Sequence, residues 1–247
     1  MATEGALVVA TPPRPRRTAA RGDRLFYAAM SAAIVLTVFV GFARTYYLRS
    51  YFFATPLPFI LRLHGFVFTG WMLLFVAQTA LVAQRRVDVH RRLGIVGAVW
   101  ALVLTAVGAA TAIAAGRRGY AAGSEAALTF LPIPLGDMLV FLGLVAAGIW
   151  HRRRSDVHKR LLLLATLSIL DAAIARWPLA FMTTGAAAFF GITDLFVAAA
   201  AGYDLLTRRR VHPVYIWGGL AIVGSQLLRV AIARTETWLA VARVLLK

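Results

Sequence analysis

The chain has 247 residues, of which 60% are hydrophobic, a mean hydropathy of +0.75 and a formal net charge of +17. Soluble domains sit at roughly 45–50% apolar, so the excess must face hydrocarbon, and no sizeable soluble domain fits between the apolar runs. The absence of cysteine excludes disulfides, thiolate metal sites, iron–sulfur clusters and a cysteine nucleophile.

In chain order, residues 1–24 read as a disordered cytoplasmic tail. A cleavable signal peptide has the opposite order, because here the short apolar patch Leu7–Ala10 precedes the basic, proline-rich Arg14-Pro15-Arg16-Arg17. A membrane-crossing helix needs about 20 mostly apolar residues. Segments 25–42, 59–83, 93–115, 135–149, 161–182, 186–206 and 214–232 meet or approach this, the fourth only if it starts near Leu128. The expected fold is therefore all-α, a polytopic bundle of about seven spans over residues 25–234. Residues 235–247 are too short to cross and read as an interfacial amphipathic helix, with Trp238 as an anchor.

The basic residues cluster at every second loop. Arg14–Arg24, Arg85–Arg92, Arg152–Arg160 and Arg208–Arg210 hold 17 of the 27 lysines and arginines. That is the positive-inside pattern, which puts the N-terminus in the cytoplasm and the C-terminus outside and accounts for the charge without nucleic acid. The Ala- and Arg-rich, Lys-poor usage suggests a GC-rich bacterial genome, and with the spans a bacterial inner membrane is expected. A repeat is also present: Arg86-Val87-Asp88-Val89-His90-Arg91-Arg92-Leu93 returns 68 residues later as Arg154-Ser155-Asp156-Val157-His158-Lys159-Arg160-Leu161, identical at six of eight positions. It predicts repeated hairpins of one orientation, with Asp88 and Asp156 capping helix starts.

Ionisable groups inside spans are costly and mark function. Counted from the basic loops at about 1.5 Å per residue, Asp171 lies about 16 Å up, Asp194 and Asp137 about 21–22 Å, Arg176 and Gln226 about 24 Å, and Arg229 and His64 about 28–31 Å. Six ionisable side chains from five spans thus share the outer half of a core about 30 Å thick. Three uses follow from that placement: carboxylate–arginine pairs that hold the bundle together, a proton or ion path, or a site. In the last, Asp137, Asp171 and Asp194 are the catalytic candidates, and His64 with the three carboxylates would suit a divalent metal or acid–base work. His64, Trp71, Gln78 and Arg85 recur every seven residues on one face. His64, Trp71 and Gln78 of that stripe, with Arg176, Gln226 and Arg229, are the substrate-binding candidates for a lipophilic molecule. His90 and His158, equivalent in the repeat, offer axial ligands for a b-type haem. Retinal is excluded, since the lysines, Lys159 and Lys247, lie outside the spans.

His64-Gly65 with Trp71, His90-Arg91-Arg92-Leu93-Gly94, His158-Lys159-Arg160-Leu161, Ile174-Ala175-Arg176-Trp177-Pro178 and Tyr203-Asp204 before Arg208-Arg209-Arg210-Val211-His212-Pro213 together resemble an uncharacterised family of small bacterial multi-span membrane proteins of unknown function. The resemblance runs from about Leu61 to Trp217; it implies the multi-span topology and brings no activity. Three roles are expected to compete. One is a membrane-embedded enzyme or binding protein for a lipophilic molecule. Another is a b-haem electron-transfer protein. The third is an accessory subunit, held in the bilayer against a membrane-protein partner or a second copy of itself.

Overall fold

A computed structural model describes the backbone of residues 16–247 and the side chains from residue 21; the expected tail over 1–15 lies outside the described residues. The remainder of that tail, 16–24, forms the first turns of α1 (Arg16–Phe42). The chain then runs through a π-helical turn (Ala43–Tyr47), α2 (Phe59–Ala83), α3 (Val87–Ala121), α4 (Ala126–Phe130) and α5 (Pro132–Trp150). There follow α6 (Ser155–Leu167), α7 (Asp171–Ile174), a 3-10 turn (Ala180–Thr184), α8 (Ala186–Arg208), α9 (Pro213–Ile232) and α10 (Glu236–Leu246). Among the described residues six helices are long and apolar enough to cross a membrane: α1, α2, α3, the α4–α5 unit, α8 and α9. Their outward faces stay apolar, with Leu36, Leu73, Leu139, Leu195 and Leu227 each more than 60% exposed around the bundle. In water such a belt would cost about 25 cal/mol for every Å² of apolar surface; in hydrocarbon it costs nothing.

Local chemistry sets the boundaries. Proline opens α5 and α9, where a missing N–H is harmless and the fixed φ suits a first helical turn. α3 reaches about 52 Å at 1.5 Å per residue, so both its basic ends, Arg91-Arg92 and Arg117-Arg118, project past a hydrocarbon core about 30 Å thick. Short basic turns join α2 to α3, α5 to α6 and α8 to α9 as packed hairpins, and the 68-residue repeat marks the first two turns. The expected aspartate caps do not form. Arg86 and Arg154 hold the cap positions, and Asp88 and Asp156 sit in the first turns, where their charge favours the helix dipole.

The fifth expected span is the main departure. Residues 161–182 are divided among α6, α7 and the 3-10 turn, with Pro178 unable to continue a helix. The region Arg160–Asp171 is the centre of the bundle, and Leu163 to Leu167 are each 0% exposed. Thr166 donates to the carbonyl of Leu162 (2.9 Å) and Ser168 to that of Ala165 (2.9 Å). Irregular backbone is tolerated at membrane depth when protein surrounds it and supplies the partners that lipid cannot. Around this segment stand α1, which meets α7 so closely that a Cβ on Gly41 would lie 2.1 Å from the carbonyl oxygen of Ala173, together with α5, α8 and α9. At the opposite end from the basic turns, α10 packs on α3 and α4. Trp238 donates to the carbonyl of Leu128 (2.9 Å), and Ala242 and Leu246 are buried with Leu128 and Leu131.

Candidate functional site

At the basic end, charge pairs lock four elements together. Asp23 of α1 accepts from Lys159 of α6 and from Arg208 of α8, both at 2.5 Å. Arg160 makes a two-pronged bond to Asp204 (2.9 and 2.8 Å) with both side chains buried, and Arg208 joins the same carboxylate. His212 lies 3.3 Å from Asp156. Asp23, Arg160 and Asp204 were not among the sequence candidates; they lie at span ends, where charge needs no explanation, and only the shared pairing reveals them.

The polar cluster lies toward the other end. α5 carries Asp137 five residues past Pro132, and α9 carries Arg229 one turn before its end. The two form a buried ion pair. Arg229 also donates to the carbonyls of Ile133 (2.8 Å) and Ser225 (3.1 Å) and lies 5.2 Å from the centre of the Phe190 ring. Gly136 makes this possible, since a Cβ there would stand 2.1 Å from Cδ of Arg229. Asp171, at the start of α7, accepts from Thr193 of α8 through Oδ1. Its Oδ2 is buried with no hydrogen-bond partner, and its carboxyl lies within interaction range of Asp137. On the next residue of α8, half-buried Asp194 accepts from Gln226 (3.2 Å).

Five of the expected site residues thus converge: Asp137, Asp171, Asp194, Gln226 and Arg229. The cluster is closed rather than an open cavity, with Asp171 2%, Gln226 3%, Asp137 5% and Arg229 5% exposed. Two carboxyls facing one guanidinium leave one charge too many for a dry site unless a proton is held between them. Arg229 takes the place a cation would occupy, and among the described residues no group of three or more His, Asp or Glu is arranged to hold a metal ion.

The other candidates lie elsewhere. His64 stacks on Phe68 (4.0 Å), and the Arg176 guanidinium lies 4.8 Å from the centre of the Phe42 ring. Trp71 donates to Thr166 (3.3 Å) and meets Phe141 edge-on, a link across the bundle centre. Gln78 belongs to the basic half; with its amide turned to match its neighbours, its NH2 donates to Nδ1 of His90 (2.7 Å) and its carbonyl accepts from Gly94 (3.0 Å). Arg85 falls past the end of α2 with φ 63°, off the expected stripe. His90 and His158 do meet, ring centres 6.2 Å apart and planes at 84°, with Nδ1 of His158 on the carbonyl of Gly148 (2.8 Å). So bonded, His90 accepts through Nδ1 and His158 is oriented by the Gly148 carbonyl. The chain matches no protein-family model, no curated protein and no solved structure.

Proposed function

We propose that the chain is a seven-crossing protein of a bacterial inner membrane, N-terminus in the cytoplasm and C-terminus outside. Its Asp137–Asp171 pair binds and releases one proton beside Arg229, as the acid–base centre of an enzyme or binding protein for a lipophilic molecule. The topology rests on the basic turns gathering at one end of the bundle and on α10 packing at the other. The acid–base role rests on one observation, the buried and unpartnered Oδ2 of Asp171 beside a second carboxyl already held by Arg229. A bare carboxylate oxygen there would be desolvated and repelled by Asp137; a proton on it removes both penalties and gives Asp137 a donor. Asp194 and Gln226 supply the side from which a molecule or water reaches the pair, since Asp194 is the half-exposed member of the cluster.

Infrared difference spectroscopy across a pH change tests this in the purified, lipid-reconstituted protein. A buried protonated-carboxyl C=O band is expected in the parent, lost in Asp171→Asn and retained in Asp194→Asn. A spectrum unchanged by Asp171→Asn would overturn the reading.

A further inference from the structure

A second polar junction lies where the π-helical end of α1, the start of α2 and the broken segment meet. The Tyr46 ring lies against Gly65, so closely that a Cβ there would sit 2.1 Å from its edge; this seats α1 on α2 one residue from His64. Arg176 crosses from the broken segment to cover Phe42, near enough for its charge to act on His64. Thr45 stands one turn beyond Phe42 on the π-helical turn.

Each of these three groups lacks its complement. Oγ1 of Thr45 and Nδ1 of His64 are buried atoms without a hydrogen-bond partner. Helical threonines commonly donate to the carbonyl four residues back, as Thr79 and Thr105 do here (2.9 Å each), and the Thr45 hydroxyl does not. Single π-helical turns of this kind concentrate at functional positions. Arg176 is exposed and donates to the carbonyl of Ala172, and among the described residues no carboxylate pairs with it. Two buried polar atoms without partners and a cation without a carboxylate fall in this one junction, and an oxyanion would complete all three once His64 holds its proton on Nδ1.

The surroundings say what carries it. Tyr51 is 82% exposed, Phe59 71% and Phe52 49%, with Arg44 lying 5.1 Å from the centre of the Phe52 ring. Exposed aromatics with arginine over their faces are the composition of a membrane–water boundary, where anions arrive attached to apolar chains. We propose that Arg176, His64 and Thr45 bind the oxyanion of an anionic amphiphile at the outer boundary of the bilayer. Arg176 takes the charge at the surface; Thr45, by rotation about χ1, and His64, through Nδ1–H, close the site from the protein side.

The test uses the full chain in neutral detergent. Thermal unfolding is followed with phosphatidylglycerol, with phosphatidylcholine and with inorganic phosphate. Phosphatidylglycerol is expected to raise Tm, with the other two having little effect. Arg176→Gln and Thr45→Val should each weaken the apparent affinity about tenfold or more, as loss of one charge-assisted bond does, while Arg176→Lys keeps part of it. Asp171→Asn should leave the shift intact, which separates this site from the acid–base pair. A phosphatidylglycerol shift undiminished in Thr45→Val and Arg176→Gln would overturn the site. An equal shift from inorganic phosphate would overturn the amphiphile and leave a free anion as the ligand.

Discussion

At the residue scale, the energetics of the cluster follow from how one proton and three charged groups divide a dry space. On the proposed reading Asp137 carries the charge that balances Arg229, and Asp171 carries the proton. Asp171→Asn keeps the shape and the bond from Thr193 and should change stability by less than about 1 kcal/mol. Asp137→Asn removes the partner of Arg229, but Asp171 can then ionise and replace it, so its cost should stay below the roughly 3–5 kcal/mol of an orphaned buried charge. The double substitution removes that escape and should cost the full amount, well above the sum of the singles. Denaturant unfolding in detergent measures all three, and additive effects would mean that the two carboxyls do not share a role. A smaller electrostatic effect belongs to Asp156, exposed in the first turn of α6 and outside the crossing residues. Partial burial pulls its carboxyl upward, but the bond from His212 and the first-turn backbone N–H of Val157 outweigh this and hold it below the usual carboxylate range. The unfolded chain then binds the proton first. The contribution is present above pH about 4 and lost as pH falls through the lowered value, and for a pair this exposed it amounts to a few tenths of a kcal/mol. Asp156→Asn should flatten the acid limb of a stability–pH curve by that much and leave the neutral region unchanged. Depth along a helix can be counted, so the sequence put all seven polar groups at a similar level, and the structure brings five of them together. The sequence could not separate His64 and Arg176 from the rest, because depth says nothing about direction around the bundle axis.

At the element scale, close approach decides where helices sit. Gly41 brings α1 against the backbone of α7, and no side-chain movement can make room for a Cβ 2.1 Å from a carbonyl oxygen. Gly41→Ala should therefore push α1 off the broken segment, at a cost of about 1–3 kcal/mol, like other overpacked cores. Gly143 of α5 is the control, exposed and with nothing within 4 Å of its would-be Cβ. Gly143→Ala should gain up to about 1 kcal/mol from helix propensity alone. Thermal unfolding of the two variants side by side checks the contrast, and equal effects would refute the packing argument. The hairpins were legible because basic turns and a near-identical octapeptide mark them. The break in the fifth segment was not, because its apolar run is as long as a helix needs. What allows it to bend is the shell of other helices around Leu163–Leu170, which periodicity within one segment does not encode.

At the scale of the whole molecule, connectivity and charge together bear on the number of crossings. α5 ends at Trp150 and α6 begins at Ser155 in the basic end, tied there by Lys159 to α1. α8 also finishes in that end, through Arg208, so its start at Ala186 must lie at the other. On the proposed topology α6, α7 and the 3-10 turn together traverse the bundle once before α8 and would add a seventh crossing to the six long helices. α9 starts beside Asp156 at the basic end and so delivers α10 to the opposite one, where Trp238 and Leu246 cover α3 and α4. Because the chain has no cysteine, single introduced cysteines give an unobstructed test of which end faces which compartment. With the basic end inside, Ser124→Cys and Thr184→Cys should react with a membrane-impermeant maleimide in intact cells, and Ser155→Cys and Arg210→Cys only after permeabilisation. Reversal of all four would invert the topology and keep the fold. Labelling of Thr184→Cys only after permeabilisation, with Ser124→Cys open in intact cells, would return the broken segment to the side it started from. The seventh crossing would then be lost, and with it the depth assigned to Asp171.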